Sequence, residues 1–133
     1  MFVDASAMVA MLTEEPEGDR LARILEGERA PITSAIAIFE TAARLMSKSS
    51  LSGEEARRAV ADFLRAANMR TVPIDRREAE IALIAFERFG KRRHPAGLNM
   101  GDCFAYACTK AHGAPLLFIG DDFSQTDVNA AED

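Results

Sequence analysis

Four acidic residues occupy positions from which a carboxylate could do chemistry. Asp4 follows a minimal apolar strand, Asp102 lies in the first turn of a predicted helix, and Asp121 follows a short apolar run. Glu40 lies inside another predicted helix. If the fold brings these four side chains together, their mutual repulsion raises each pKa unless a cation neutralises them. Oxygen ligands without Cys or His favour Mg²⁺ or Mn²⁺ over zinc, and such ions can activate water to attack a phosphodiester.

Glu40 gives the strongest single signal of the four. The predicted helix over 34–48 carries apolar residues at core spacing, namely Ile36, Phe39, Ala43 and Met46. Glu40 falls inside that stripe, and burying an unpaired charge costs roughly several kcal/mol. We therefore expect a compensating group beside Glu40, and a metal ion is the candidate.

The three aspartates each have a structural interpretation as well. Asp4 could cap the helix that follows it, and Asp102 has capping-box spacing from Asn99. Asp121 and Asp122 are common turn residues. The joint interpretation is stronger, because a parallel sheet would carry Asp4 and Asp121 to the same edge.

The order of predicted elements indicates how these residues are positioned. Short strands are predicted at 2–3, 31–33, 72–74 and 116–119, and helical patterns lie between them. This alternation predicts an α/β fold, with a mainly parallel central sheet covered on both faces by helices in three α/β/α layers. With 133 residues, the chain is expected to form a single domain over 1–133.

Composition excludes some classes of function. A net charge of −5 argues against coating nucleic acid through bulk charge, but a nuclease with an acidic metal site remains compatible with it. Cys103 and Cys108 are five residues apart on one predicted helix, so they cannot form a local disulfide and are expected in the core. We expect the chain in the cytoplasm, because it has neither a signal-peptide pattern nor an apolar run long enough to cross a bilayer.

These residues also carry a resemblance to the VapC toxins of the PIN-domain family, over essentially the whole chain. The matching segments are 2–7, Glu40 with its two preceding residues, 94–103, 116–123, and Thr126 with Asp127. The resemblance implies an α/β/α sandwich and a Mg²⁺-dependent endoribonuclease that is the toxin of a toxin–antitoxin pair.

The resemblance also assigns roles to residues and names partners. The family's acidic cluster maps onto Asp4, Glu40, Asp102 and Asp121, and its supporting hydroxyl maps onto Ser6. It further implies homodimerisation and inhibition by a cognate VapB-type antitoxin.

The last acid of the cluster is ambiguous. Many relatives carry Thr-x-Asp there, whereas Gly120 precedes two adjacent aspartates in this chain. Successive residues at a strand end point to opposite sides, so only one of the two is expected to face the metal. We expect Asp121 to do so, with Asp122 in a supporting position.

Basic residues for holding RNA are concentrated in one loop. Lys91, Arg92 and Arg93 form the densest basic run, and Arg44 and Lys48 are further candidates on the Glu40 helix. The alternative interpretation is an ordinary solvated loop. Trp is absent and only one Tyr is present, which argues against an extensive platform for stacking bases.

Two other functions are compatible with acids at a sheet edge. An aspartate-based phosphotransfer domain needs close acidic companions, and Asp4-Ala5-Ser6 lacks the second aspartate of the Asp-x-Asp type. A non-catalytic module could use the acids to receive basic groups of a partner. Such a module would tolerate Asp4→Asn without losing growth inhibition, whereas a nuclease should not.

Overall fold

The computed structural model describes residues 1–132. Its elements are β1 (Phe2–Val3), α1 (Ala5–Leu12), α2 (Gly18–Glu26), β2 (Ile32–Ser34), α3 (Ala35–Lys48), α4 (Gly53–Ala66), β3 (Arg70–Val72), α5 (Arg76–Phe89), α6 (Met100–His112) and β4 (Leu116–Leu117). This alternation of strands with helices is the order that the sequence predicts.

The four strands form one parallel sheet in the order β3-β2-β1-β4. Phe2 pairs with Ile32 on one side and with Leu116 on the other. The helices pack mainly in two groups, α1–α4 and α5–α6. Right-handed crossovers, the rule for parallel strands, put these two groups on opposite faces of a sheet with this strand order. The predicted three-layer α/β/α architecture is therefore confirmed.

Local sequence signals account for most element boundaries. Ser34 ends β2 and caps α3, because its side chain accepts a hydrogen bond from the amide of Ala37 at 3.2 Å. Asp75 and Glu78 form the capping box that begins α5. Strand β3 ends at Val72, two residues before the predicted boundary, because Pro73 has no amide to continue the ladder.

The core is built around the sheet. Phe2, Leu116 and Leu117 are almost completely buried between the helical layers. Cys103 and Cys108 are buried free thiols, as the sequence predicts. Within the described chain, no helix has the length and apolar character required to cross a membrane.

The predicted core face of α3 is wrong by about one residue. Its buried side chains are Ala37, Thr41 and Leu45, whereas Phe39 is 71 % exposed. Ala37 belongs to the main core, and Leu45 packs with Ala56 and Val60 of α4. The hydroxyl of Thr41 is satisfied by the carbonyl of Ala37 at 2.7 Å. Glu40 consequently lies at the border of the buried face, beside Thr41.

Candidate active site

A cleft opens where the carboxyl ends of β1 and β4 meet. The strand order reverses between these two strands, which is the position where open α/β sheets bind ligands. The cleft has a volume of about 110 Å³, and its charged lining consists of Asp4, Glu40, Arg44, Asp102 and Asp122. Four carboxylates from four separate parts of the chain thus face one small space.

Asp4 is held at the base of the cleft by its neighbours. It caps α1, and its Oδ2 accepts hydrogen bonds from the amide of Ser6 at 3.0 Å and from the Ser6 hydroxyl at 2.6 Å. The Ser6 hydroxyl also accepts a hydrogen bond from the amide of Ile119 at 3.1 Å. Ser6 therefore ties the ends of β1 and β4 together and fixes one carboxylate oxygen, which leaves Oδ1 of Asp4 for the cleft.

Asp102 is fixed in the same way at the start of α6. Its Oδ2 accepts a hydrogen bond from the amide of Asn99 at 3.1 Å, while Asn99 Oδ1 accepts one from the amide of Asp102 at 2.9 Å. This capping box is the structural role that the spacing of Asn99 and Asp102 predicts. Because it engages only Oδ2 and Asp102 also lines the cleft, the capping role and a ligand role are compatible.

The structure brings Asp122, not the expected Asp121, into the cleft. Strand β4 ends at Leu117, and Gly120 adopts a φ of +102°. The alternation of side chains along a strand has therefore ended before Asp121 and Asp122, so it does not decide which of them faces the cleft. Asp121 instead lines a separate depression, to which Glu17 and Arg20 also contribute.

Two further polar residues, Arg44 and Asn99, line the cleft without having been predicted there from the sequence. Arg44 lies one turn after Glu40 on α3, and it was predicted only as a general RNA contact. Asn99 was predicted only as a cap, yet its side chain also lines the cleft. The i to i+4 spacing from Glu40 was the available signal for Arg44.

The electrostatics of the cleft raise the pKa values of three of its acids in the absence of a cation. Burial, reinforced by the charges of Asp4 and Asp102, raises the pKa of Glu40 to about 7. Burial also raises the pKa of Asp102 to about 6, with further contributions from Asp4 and Asp122. The pKa of Asp4 is raised by burial, which its hydrogen bonds to Ser6 only partly oppose. The Arg44 guanidinium lowers all three pKa values, but it does not restore their ordinary values.

The donor chemistry of the cleft fits a hard divalent cation surrounded by water. Within residues 1–132, no three acidic, Cys or His side chains already converge in the geometry of a direct coordination shell. Mg²⁺, however, usually keeps several waters and takes one or two carboxylates. A water occupies about 30 Å³ of liquid, so the cleft has room for an ion with a few waters.

The predicted RNA-binding residues lie in the loop between α5 and α6. The loop is closed at its base, because Lys91 donates its amide to Leu98 O at 2.9 Å. The Arg93 guanidinium lies over the Phe86 ring at 5.3 Å. Asn99, which follows the base directly, lines the cleft. The loop is thus anchored next to the acids, although Lys91, Arg92 and Arg93 do not line the cleft themselves.

Comparison with known proteins shows the family to which the chain belongs. The profile of the PIN domain matches residues 1–129. The chain belongs to the PIN-domain family. A protein named Ribonuclease VapC from Mycolicibacterium smegmatis is 41 % identical over 130 residues, covering 98 % of each chain. Ribonuclease VapC30 from Mycobacterium tuberculosis is 38 % identical over 128 residues, covering 96 % of this chain and 95 % of the relative. These relatives place the chain in the VapC group of PIN domains.

A solved structure supports the PIN fold independently. The crystal structure of Mycobacterium tuberculosis VapC20, described as a sarcin–ricin loop cleaving toxin, matches with a TM-score of 0.79. The match covers 99 % of this PIN domain and 98 % of VapC20 at 19 % identity. At that identity the likeness concerns the fold alone.

The raised pKa values predict how the stability of the metal-free PIN domain depends on pH. Asp4, Glu40 and Asp102 have folded-state pKa values above their ordinary values of 3.8 for Asp and 4.5 for Glu. Between these ordinary values and about 7, the folded state binds more protons than the unfolded state. Its free energy of unfolding therefore falls as pH rises through this window.

Thermal melts in EDTA from pH 5 to 7.5 measure this effect. Carboxylates with lowered pKa values, such as Glu28 and Asp127, titrate below that range and do not obscure it. Glu40→Gln removes the carboxyl group whose pKa is raised to about 7, so the melting temperature of this variant should decline less above pH 6. A wild-type melting temperature that rises across the range would contradict the raised pKa values.

Proposed function

We propose that this PIN domain is the toxin of a type II toxin–antitoxin pair and that it hydrolyses phosphodiester bonds of RNA. The observation that carries the proposal is the convergence of Asp4, Glu40, Asp102 and Asp122 on one cleft in a chain of the VapC group. The pKa values of Glu40 and Asp102 are raised there. Relatives named ribonucleases support the substrate class.

The four carboxylates would hold Mg²⁺, for which Mn²⁺ should substitute. When bound, such a cation supplies a more acidic water and stabilises negative charge on the phosphodiester. The protein's contribution is orientation: Ser6 fixes Asp4 through Oδ2, and the amide of Asn99 fixes Asp102 through Oδ2. Partners that orient ligating carboxylates in this way typically influence metal affinity about 10- to 100-fold.

Cleavage of end-labelled structured RNAs by the purified protein tests this function. We expect cutting with Mg²⁺ or Mn²⁺ and none with EDTA. Titration calorimetry with Mn²⁺ in the absence of RNA provides a separate measure of the site. If the protein neither cuts RNA nor binds the metal, the cleft is not a nuclease centre and becomes a docking site for basic groups.

Two sets of basic side chains are proposed to hold the RNA. Arg44 lines the cleft, and within residues 1–132 it has no carboxylate oxygen within 4 Å, so its guanidinium is available to a substrate phosphate. Lys91, Arg92 and Arg93 lie on the loop whose base adjoins Asn99. We propose that Arg44 contacts the phosphate near the cut and that the loop contacts the flanking backbone.

The salt dependence of RNA affinity tests the loop contact. Each phosphate contact on a single strand contributes about 0.7 to the slope of log K against log salt, so replacing all three loop cations by Gln should reduce the slope by about 2. Asp102→Asn protein prevents cleavage during the measurement. The matched control replaces Arg57, Arg58 and Arg65 of α4 by Gln. Equal losses of slope in both triple variants would show that the loop makes no special contact.

The partners of the chain are also proposed. Leu83 is 68 % exposed and Met100 is 67 % exposed, and both line an almost wholly apolar depression of about 360 Å³ between α5 and α6. A contiguous apolar surface of this kind fits a second copy of the chain. Sedimentation velocity at micromolar protein concentrations measures the oligomeric state. A protein that stays monomeric over this whole range would contradict the proposed homodimer.

Inhibition by a VapB-type antitoxin is compatible with the same cleft. A guanidinium from such a partner would form charge-assisted hydrogen bonds with these carboxylates and compete with the metal. We propose that both proteins act in the cytoplasm, where their RNA substrate is found. Mn²⁺ calorimetry on the purified pair tests the competition, since unchanged affinity would exclude it.

A further inference from the structure

Gly101 occupies a position in α6 where the backbone itself does not require glycine. It is buried in the first turn of the helix, directly before Asp102. Its φ lies outside the positive range that favours glycine, unlike those of Gly97, Gly113 and Gly120. Glycine is also among the poorest helix formers. Residue 101 therefore needs another reason to lack a side chain.

The reason lies on α3, the helix that carries Glu40. A Cβ at residue 101 would overlap the carboxylate of Glu40, lying only 2.6 Å from its Cδ and Oε1. The three nearest atoms all belong to that one carboxylate, and none of them is a backbone atom. Gly18 and Gly90 differ, because a Cβ at either position would first overlap a backbone carbonyl, of Ala10 and Phe86 respectively. Gly101 thus leaves space for a side chain of the cleft.

We propose that Gly101 is a positioning residue of the metal site, whose missing side chain forms the slot that holds the Glu40 carboxylate in the cleft. This inference rests on the proposed metal-dependent nuclease function. Glu40 approaches Gly101 from α3, and Asp102 extends from the next residue of α6. The close approach of the two helices at Gly101 therefore brings both carboxylates to the same small cleft.

Gly101→Ala separates this role from a role in folding. The new methyl group must displace the flexible end of Glu40, while alanine suits the helical backbone better than glycine. We expect Mn²⁺ affinity and RNA cleavage to fall about 10- to 100-fold, the range found when orienting groups of metal ligands are removed. The melting temperature of the metal-free protein should be unchanged or higher.

Two other glycines provide matched controls. At Gly27, which follows α2, an added Cβ would lie in ordinary contact, 3.5 Å from the carbonyl of Ile24. Gly27→Ala should therefore leave metal affinity and cleavage unchanged. At Gly18, an added Cβ would lie 2.8 Å from the carbonyl of Ala10. Gly18→Ala should therefore lower the melting temperature, as expected for a glycine that serves folding.

A double variant tests whether Gly101 acts through Glu40. Glu40→Asp shortens the side chain by one methylene, so its carboxylate no longer fills the slot. A methyl group at residue 101 should then have little further effect on Mn²⁺ affinity. The Gly101→Ala/Glu40→Asp protein should bind Mn²⁺ no more weakly than Glu40→Asp alone. If the two losses of affinity multiply, Gly101 acts on another group and the proposal is overturned.

A crystal structure of the metal-free Gly101→Ala protein tests the positioning role separately from the proposed function, because it shows where the Glu40 carboxylate lies without any measurement of activity. A Glu40 carboxylate displaced from the cleft supports the positioning role even if the wild-type protein proves to bind no metal. A carboxylate that stays in place beside the new methyl group overturns that role, even if the wild-type protein cuts RNA with Mg²⁺.

Discussion

Asp102→Asn is expected to lower the rate constant for RNA cleavage about 10³-fold, because losing ~4 kcal/mol of transition-state charge stabilisation corresponds to about three decades in rate. Asp102 is one of the four carboxylates of the cleft, and its Oδ2 is already engaged by the amide of Asn99. The substitution removes the charge while leaving an oxygen of similar position. It therefore tests the charge rather than the shape of the site.

Stability should respond to Asp102→Asn in the opposite sense to activity. Burial raises the pKa of Asp102 to about 6, so at pH 7.5 the wild-type protein holds an unfavourable buried charge beside Asp4 and Asp122. Asparagine removes that repulsion and can still accept the Asn99 amide. The metal-free variant should consequently melt at or above the wild-type temperature, as a thermal scan in EDTA will measure.

A matched control for Asp102→Asn is Asp19→Asn. Asp19 also lies in the first turn of a helix, but it is exposed and lies outside the cleft. It should retain wild-type cleavage and Mn²⁺ affinity. In EDTA, the wild-type protein and both variants should be equally inactive. Wild-type rates from Asp102→Asn with Mg²⁺ would show that the catalytic centre lies elsewhere.

The sequence predicted the fold well because its signals are local and strong. Capping boxes at Asp75 and Asn99 mark helix starts, and the left-handed Gly113 ends α6. Alternation of strands with helices then restricts the topology to a parallel sheet. Asp4 and Asp102 could be placed in the site on the same grounds, since each follows directly from a strand end or a helix start.

Features that depend on how two elements pack against each other were not predictable in this way. The apolar residues of α3 are compatible with two neighbouring faces, and packing against α1, α4 and β2 buries the face with Ala37 and Leu45. Phe39, which the periodicity assigns to the core, is left exposed. Likewise, the space at Gly101 has meaning only once α3 lies against α6.

Glu40 lines the cleft, although the periodicity that drew attention to it is not that of the buried face of α3. It was singled out as a charge within an apolar stripe, yet that stripe is not the buried face of α3. Its pKa is nevertheless raised to about 7, chiefly by burial at the border of that face and then by the charges of Asp4 and Asp102. Glu40 is therefore a carboxylate in an unfavourable environment, and the neighbouring acids that contribute to it are Asp4, which follows β1, and Asp102 of α6.

The pair Asp121 and Asp122 provides the second large expected effect. Asp122 lines the cleft with Asp4 and Glu40, whereas Asp121 lines a separate depression. We expect Asp122→Asn to lower cleavage about 100-fold, since a cation held by few carboxylates depends on each of them. Asp121→Asn should remain within about twofold of the wild-type rate, the usual outcome for a surface change remote from the chemistry.

These two variants form an internal control, because they make the same chemical change at adjacent positions. The Asp121 carbonyl accepts hydrogen bonds from the amide and hydroxyl of Ser124, at 3.3 Å and 2.7 Å. Both bonds use the backbone oxygen, so Asp121→Asn leaves this turn intact. Measured Mn²⁺ affinities should follow the cleavage rates, falling for Asp122→Asn and unchanged for Asp121→Asn. The reverse pattern would mean that the segment after β4 rearranges when the metal binds, because only a rotation of the chain near Gly120 could exchange the two side chains.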